Sequence, residues 1–225
     1  MRDDVIAVLP AYDCEGSVGP VVAGLRRHLS TVIVVDDGSR DDTAREAREA
    51  GAVVESFSEN RGKGRALRRG MEEALERDPE ALLLLDADGQ HDPEDSPRLL
   101  QAWDRDRPDI VIGARLDDPE AIPSVRYWTN YIGSRILSWM TGLELLDSQS
   151  GYRLVSAELL RELSLESDGY AIESEMLIKA AHRGARIVHV PVKTIYRSEV
   201  SHYRPLRDTV RISCRAIYFK AFDEP

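Results

Sequence analysis

The sequence predicts an α/β protein whose mostly parallel sheet is covered by helices. Two observations predict it. Short apolar runs alternate with amphipathic segments through the first half, the pattern of strand–helix units that join parallel strands. Two of those runs, residues 31–35 and 81–85, end in acidic pairs, Asp36-Asp37 and Asp86-Ala87-Asp88. In open α/β sheets the ligand gathers outside the carboxyl ends of the strands, where loops present side chains to it. Carboxylates delivered twice to that edge predict a site for a metal and a phosphate.

The elements follow in order. Residues 5–9 form a short buried strand stopped by Pro10, and the segment after Gly16 places Val18, Val21, Val22, Leu25 and Leu29 on one helical face. The next unit repeats the pattern with strand 31–35 and a helix over about 41–50. Ser39, with Asp42 three residues on, forms a capping box at its start, and Gly51 closes it. A third strand, 53–56, leads through Glu59-Asn60-Arg61-Gly62-Lys63-Gly64 into a helix carrying Ala66, Leu67, Gly70, Met71, Ala74 and Leu75 at helical spacing. After the Leu-rich strand 81–85, Pro93 opens another helix, and residues 109–114 make a fifth strand ending at Arg115.

The second half is less regular. Residues 126–141 read as a helix, 147–153 as a loop, 173–183 as an amphipathic helix and 187–190 as a strand stopped by Pro191. On a final helix over 206–222, Arg204, Arg207, Arg211 and Arg215 recur every three or four residues beside Val210, Ile217, Tyr218 and Phe222. Such a basic amphipathic helix suits docking on anionic lipid head groups. Residues 1–203 are expected to form one catalytic domain, with 204–225 as part of it or as a membrane-peripheral extension.

Composition narrows the function. Acidic residues outnumber basic ones by 40 to 30, a net charge of −10, which argues against a nucleic-acid binder with its broad basic surface. Lysine occurs only at 63, 179, 193 and 220, and arginine supplies the other positive charges. Cys14 and Cys214 lack ligand-like spacing, which disfavours a zinc site or a disulfide scaffold and fits a reducing cytoplasm. No charged-then-apolar leader precedes the first strand, and no stretch nears the roughly 20 apolar residues of a membrane span. The expectation is a protein that neither spans a membrane nor is exported.

A nucleotide diphosphate-sugar would explain the acidic edge. Its pyrophosphate charge must be neutralised before the sugar–phosphate bond breaks, and a cation held by carboxylates can do this as a Lewis acid. Mg²⁺ or Mn²⁺ takes oxygen ligands, usually one or two protein carboxylates, and leaves positions for phosphate oxygens. Asp86, Asp88 and Gln90 fit that need.

The chain resembles a family 2 glycosyltransferase with the GT-A fold, and within that family the polyprenyl-phosphate sugar transferases of the dolichol-phosphate mannosyl- or glucosyltransferase type. The resemblance runs over roughly residues 5–203. It rests on Leu9-Pro10-Ala11-Tyr12, Val34-Val35-Asp36-Asp37-Gly38-Ser39, Asp86-Ala87-Asp88-Gly89-Gln90-His91, Gly113-Ala114-Arg115, Ser150-Gly151-Tyr152-Arg153 and the later Arg197 and Ser201. It implies that Pro10, Ala11, Tyr12, Asp36 and Asp37 line the nucleotide pocket, Asp37 contacting base or ribose, with Arg61 nearby. Asp86, Ala87 and Asp88 would meet the nucleotide sugar, and Asp86, Asp88 and Gln90 would hold Mg²⁺ or Mn²⁺. Arg115 and Arg126 would grip the phosphate of a polyprenyl or dolichyl acceptor and act with Asp88 in catalysis. Ser150, Gly151 and Glu173 would shape the sugar and acceptor end, and Arg197, Ser201 and His202 would lie on a loop closing over phosphates. Asp13-Cys14 replaces the Asn-Glu common after the tyrosine, so the acidic contact to the base is missing or displaced to Glu15. His202 stands where lysine is common.

The implied reaction is inverting transfer of a hexose from UDP-glucose or GDP-mannose. A lipid phosphate is already ionised and attacks without a base, whereas a hydroxyl acceptor needs a carboxylate or histidine to take its proton. Bidentate guanidinium groups at 115 and 126 suit a phosphate. Membrane contact at a cytoplasmic face would come from the arginine-rich terminal helix and the region of Trp128 and Trp139, although those tryptophans and Trp103 also suit packing. His91 reads as a loop residue capping the next helix. Gly62-Lys63-Gly64 has neither P-loop spacing nor a dinucleotide fingerprint and reads as turn chemistry. Rival readings are a glycosyltransferase with a sugar-hydroxyl acceptor, a haloacid dehalogenase-type phosphatase with Asp86 as nucleophile, and a sugar nucleotidyltransferase. The phosphatase motif opens its domain, whereas three strand–helix units come first here. The nucleotidyltransferase carries a basic Gly-rich segment after its first strand, where this chain is acidic.

Overall fold

The computed structural model describes residues 1–115, 124–193 and 195, with backbone alone at 124–127 and 129. The expected loop carrying Arg197, Ser201 and His202 and the final helix over 206–222 lie outside the described residues. Seven strands, β1 (Arg2–Ala11), β2 (Leu29–Asp36), β3 (Val53–Ser56), β4 (Ala81–Leu84), β5 (Ile110–Ala114), β6 (Arg153–Ser156) and β7 (Ile187–Pro191), form one sheet in the order β3-β2-β1-β4-β6-β5-β7. All pair in parallel except β6, which runs antiparallel to both β4 and β5. The helices are α1 (Val18–Leu25), α2 (Thr43–Glu49), α3 (Lys63–Leu75), α4 (Ser96–Asp106), α5 (Ser124–Thr141), α6 (Ala157–Glu162) and α7 (Ala171–His182).

Side chains alternate across a strand, so the continuous apolar runs feed two cores. Ile6, Val8, Ile33, Val35, Leu82 and Leu84 bury against α3, α5, α6 and α7. Val5, Ala7, Leu9, Val32, Val34, Leu83 and Leu85 bury against α1 and α4. Helix α3 lies close on the sheet because Gly70 has no side chain: a Cβ there would meet Val8 Cγ1 at 2.4 Å.

Four details differ from the sequence reading. Leu29 is the first residue of β2 rather than part of the α1 face. The Ser39 capping box does not form, because the Ser39 hydroxyl accepts from the Asp13 amide and α2 starts only at Thr43, whose amide bonds Asp41. Pro93 opens a 3₁₀ turn, Pro93–Asp95, capped by Asp92 rather than His91, before α4 begins at Ser96. Strand β6 and helix α6 occupy a stretch for which the sequence suggested only the end of a loop.

The chain passes from β1 to β2 on one side and to β4 on the other. The carboxyl ends of β1 and β4 therefore flank the point where strand order reverses, the crevice in which open α/β sheets bind ligands.

Candidate active site

On the β2 side of this crevice, Ala11 pairs with Asp36, and the Asp37 amide donates to the Ala11 carbonyl at 2.8 Å. Asp36 turns back to accept from the Ser39 amide at 3.0 Å. Asp37 is buried, and its carboxylate accepts from the amides of Arg61 and Gly62 at 2.7 and 2.8 Å. Burial pushes its pKa up against the pull of those amides. Asp37 thus clamps loop 59–62 over the strand ends, in addition to any contact with a nucleotide. Gly38, at φ 74°, allows the crossing, since a Cβ would meet the Glu59 carbonyl carbon at 2.5 Å. Pro10 and Ala11 are buried, Tyr12 is half-buried, and the Arg61 guanidinium lies 5.4 Å from the Phe57 ring centre. Glu15 is exposed, and Asp41 bonds its backbone amide, tying the β1 loop to the α2 approach.

The centre of the crevice holds a residue the sequence assigned to turn chemistry. Lys63, the first residue of α3, places Nζ 2.7 Å from Asp86 Oδ1 and 2.6 Å from Glu173 Oε1, with the Tyr170 ring 5.4 Å away. Burial would lower the Lys63 pKa, but the two carboxylates hold it above the ordinary lysine range. Burial would likewise raise Asp86, but Lys63 keeps it below the ordinary carboxylate value. The flanking glycines make this placement possible. A Cβ on Gly62 would meet the Asp168 carbonyl at 2.4 Å, and one on Gly64 the Ser167 carbonyl at 2.2 Å. The lysine is therefore pressed against the segment leading into α7, whose first turn carries Glu173.

Gly151 closes the same pocket, which Pro10, Lys63, Asp86, Arg153 and Glu173 also line. A Cβ on Gly151 would lie 2.7 Å from Asp86 Oδ2. Arg153 lies beneath, fully buried, donating to the carbonyls of Ser150, Glu173 and Ser148 at 2.8, 2.8 and 2.7 Å. Burial lowers its pKa. It staples residues 148–151 to the start of α7.

Beyond Asp86 the chain turns at Ala87-Asp88-Gly89, and Asp88 Oδ1 accepts from the Gln90 amide at 2.9 Å. The Ser17 hydroxyl fixes the turn by donating to the Ala87 carbonyl at 2.9 Å. His91 is buried, with its ring centre 5.4 Å from that of Tyr152, and burial followed by the Arg115 charge pulls its pKa down to about 4. It is a neutral packing residue. Among the described residues no three His, Cys, Asp or Glu side chains are grouped to hold a metal ion. The oxygen donors of Asp88 and Gln90, on a half-buried turn, still fit a hard divalent cation completed by phosphate oxygens. Asp86 is taken up by Lys63.

On the far side, Arg115 follows β5 and pairs bidentately with Asp147, Nε to Oδ2 at 2.6 Å and NH2 to Oδ1 at 2.8 Å. Burial would raise the Asp147 pKa, but Arg115 holds it below the usual range. The sequence expectation gave Arg115 to the acceptor; the structure adds the carboxylate that orients it. Arg115 is close enough to Asp86 and His91 for its charge to act on both. Next to Asp147, Ser148 is joined to α5 through Ser134, its amide donating to Ser134 Oγ at 2.9 Å. Ser150 is fully buried in the loop that follows. Arg126 lies in the first turn of α5, its side chain outside the described part. Arg197, Ser201 and His202 also lie outside the described residues, but the chain leading to them is tied to the turn after Asp88, the Ile195 amide donating to the Gln90 carbonyl at 2.8 Å.

Fold and site together define a glycosyltransferase of the GT-A type. The chain belongs to glycosyl transferase family 2, whose sequence model matches residues 6–164. It is similar to an uncharacterized protein of Methanocaldococcus jannaschii, 34% identical over 97% of this chain and 91% of the relative. It is also similar to the UDP-N-acetylglucosamine–dolichyl-phosphate N-acetylglucosaminyltransferase of Methanococcus voltae, at 32% over 87% and 88%. The undecaprenyl-phosphate mannosyltransferase of Micrococcus luteus is 35% identical over 86% and 84%. Among solved structures, glucosyl-3-phosphoglycerate synthase from Mycobacterium tuberculosis in complex with phosphoglyceric acid superposes with a TM-score of 0.77 at 23% identity, over 99% of this chain and 81% of that one. Another structure of that enzyme, holding Mn²⁺, UDP and glucosyl-3-phosphoglycerate, gives 0.74 at 25% over 96% and 77%. Family membership removes the phosphatase and nucleotidyltransferase readings.

Proposed function

We propose that this enzyme transfers a hexose, with inversion, from a UDP- or GDP-sugar to a polyprenyl or dolichyl phosphate at the cytoplasmic face of a membrane. One observation carries the acceptor: the two carboxylates beside Gly151, Asp86 and Glu173, share the Lys63 ammonium. Asp86, held below the ordinary carboxylate value by Lys63, is a poor proton acceptor, so it is ill suited to activating a hydroxyl. A phosphate acceptor arrives ionised and needs a cation to orient it, which Arg115, held rigidly by Asp147, supplies. The named acceptors of the Methanococcus voltae and Micrococcus luteus relatives agree.

In this reading Pro10, Ala11, Tyr12, Asp36, Asp37 and Arg61 take the nucleotide, and Asp86, Ala87 and Glu173 face the sugar, the two carboxylates fixed for its hydroxyls by Lys63. Asp88 and Gln90 would hold Mg²⁺ or Mn²⁺, which when bound neutralises pyrophosphate charge as a Lewis acid. Arg115 and Arg126, with Ser150 and Gly151, orient the acceptor phosphate for attack opposite the leaving nucleotide. Arg197, Ser201 and His202 add phosphate contacts. The test is incubation of purified protein with Mg²⁺ or Mn²⁺, labelled UDP- and GDP-sugars and polyprenyl phosphate. Label is expected in the lipid phase. Label found only in sugar-hydroxyl acceptors would overturn the acceptor assignment.

A further inference from the structure

Of the eight exposed large apolar side chains among the described residues, five lie on α5: Trp128, Tyr131, Ile132, Ile136 and Trp139. Their spacing puts them on one side of the helix, while Ser134, Leu137 and Met140 on the other side are buried. Trp139 is 81% exposed, and Trp128 and Tyr131 meet edge to face with ring centres 6.0 Å apart. A sixth exposed residue, Leu146, lies on the segment strapped to the end of α5 by Ser138, whose hydroxyl accepts from the Leu145 amide at 3.0 Å. Between the helix and this segment lies a groove of about 370 Å³, lined by Tyr131, Leu143, Leu145 and Leu146 together with the polar Ser134, Arg135, Ser138 and Glu144. The face is mainly aromatic and aliphatic, with the charged Arg135 and Glu144 exposed among the apolar side chains, and an exposed apolar patch rimmed by polar groups marks an interaction site.

We infer that this face of α5, with its groove, rests in the lipid–water interface and delivers the acceptor's isoprenoid chain to Arg115. The inference rests on the lipid-phosphate reading above. Continuity with the acceptor end selects lipid as the occupant. The buried side of α5 is bonded through Ser134 to Ser148, and the neighbouring Asp147 holds Arg115, so the apolar face and the phosphate-orienting arginine share one rigid unit. The side chains are also those that settle at a bilayer surface, tryptophan and tyrosine with their amphipathic rings beside isoleucine. No helix of the described residues is long and apolar enough to cross a membrane, so α5 lies along the surface.

The experiment uses the full chain, phosphatidylcholine vesicles, and a Trp128→Ser/Trp139→Ser variant. Wild type is expected to float with the vesicles and show a blue-shifted tryptophan emission quenched by brominated lipid. The variant should fold with an unchanged melting temperature, since both side chains are exposed, yet lose vesicle binding by about tenfold or more. Its transfer to long-chain polyprenyl phosphate in vesicles should fall in step, while transfer to a short, water-soluble isoprenyl phosphate is kept. Equal flotation of variant and wild type overturns the inference. So does a wild-type dimer that the variant converts to a monomer without any vesicle binding, or loss of binding on deleting residues 204–225 but not in the α5 variant. Transfer to neither lipid acceptor by wild type would instead defeat the function proposed above, whatever the vesicle result.

Discussion

At Lys63 one ammonium meets two carboxylates that come from different halves of the chain, Asp86 and Glu173. Removing one member of a buried ionic set leaves the others uncompensated, so Lys63→Met should lower stability by about 3 kcal/mol and reduce transfer by about 10²-fold or more. Denaturant unfolding together with turnover checks this, and normal values for both would remove Lys63 from the site. Asp88→Asn should keep the fold but cut transfer and Mn²⁺ affinity by about 10²-fold; full activity would sink the cation assignment. The Arg115–Asp147 pair gives a pH signature. Because the Asp147 pKa is depressed in the folded state, its contribution is present above its ordinary value of 3.8 and is lost as pH falls through the folded value. Asp147→Asn should therefore destabilise the protein at neutral pH and flatten its loss of stability below about pH 4. Asp86, Asp88 and Arg115 were legible in the sequence because each ends an apolar run. Lys63 and Asp147 were not, because their roles depend on partners dozens of residues away and neither sits in a pattern that singles it out. The one local signal for Lys63 was a glycine on each side, which marks close approach of another backbone.

At the level of elements, the parallel half was readable because strands buried on both faces are apolar runs and the helices between them show a 3.6-residue period. Strand β6 escaped because it is four residues long and begins with Arg153, whose charged side chain reads as surface although it is fully buried. The arginine is tolerated there because three backbone carbonyls receive its donors. Close packing of α3 on the segment before α7 makes Gly64 an intolerant position. Gly64→Ala should cost about 1–3 kcal/mol through overpacking against the Ser167 carbonyl. A helix propensity gain would give the opposite sign, and thermal unfolding separates the two. Helix α5 was recognised as a helix, and Trp103 is packed in the core as expected. Trp128 and Trp139 are exposed rather than packed in the core, because the core-facing positions of α5 are filled by Leu137 and Met140.

For the whole molecule, a net charge of −10 sets the sign of its long-range interaction with a membrane. An acidic protein is repelled by anionic vesicles, and salt screens that repulsion over a Debye length of about 10 Å at 0.1 M. Binding to phosphatidylglycerol vesicles should therefore rise with salt if apolar α5 contacts dominate. A fall with salt would show that the arginines at 204, 207, 211 and 215 govern attachment, and vesicle co-sedimentation across a salt series reads the difference. The reversed strand β6 carries a broader consequence. It sits between β4 and β5 and holds their carboxyl ends two strand spacings, about 10 Å, apart. In the proposed reading the nucleotide and metal contacts come from β1–β4 and their loops and Glu173 of α7 reaches the sugar, while Arg115, α5 and Asp147 lie beyond the divider. On that reading the enzyme is modular: a lineage could retune its acceptor by changing Arg115, Asp147 and the face of α5, with the nucleotide-reading half inherited unchanged.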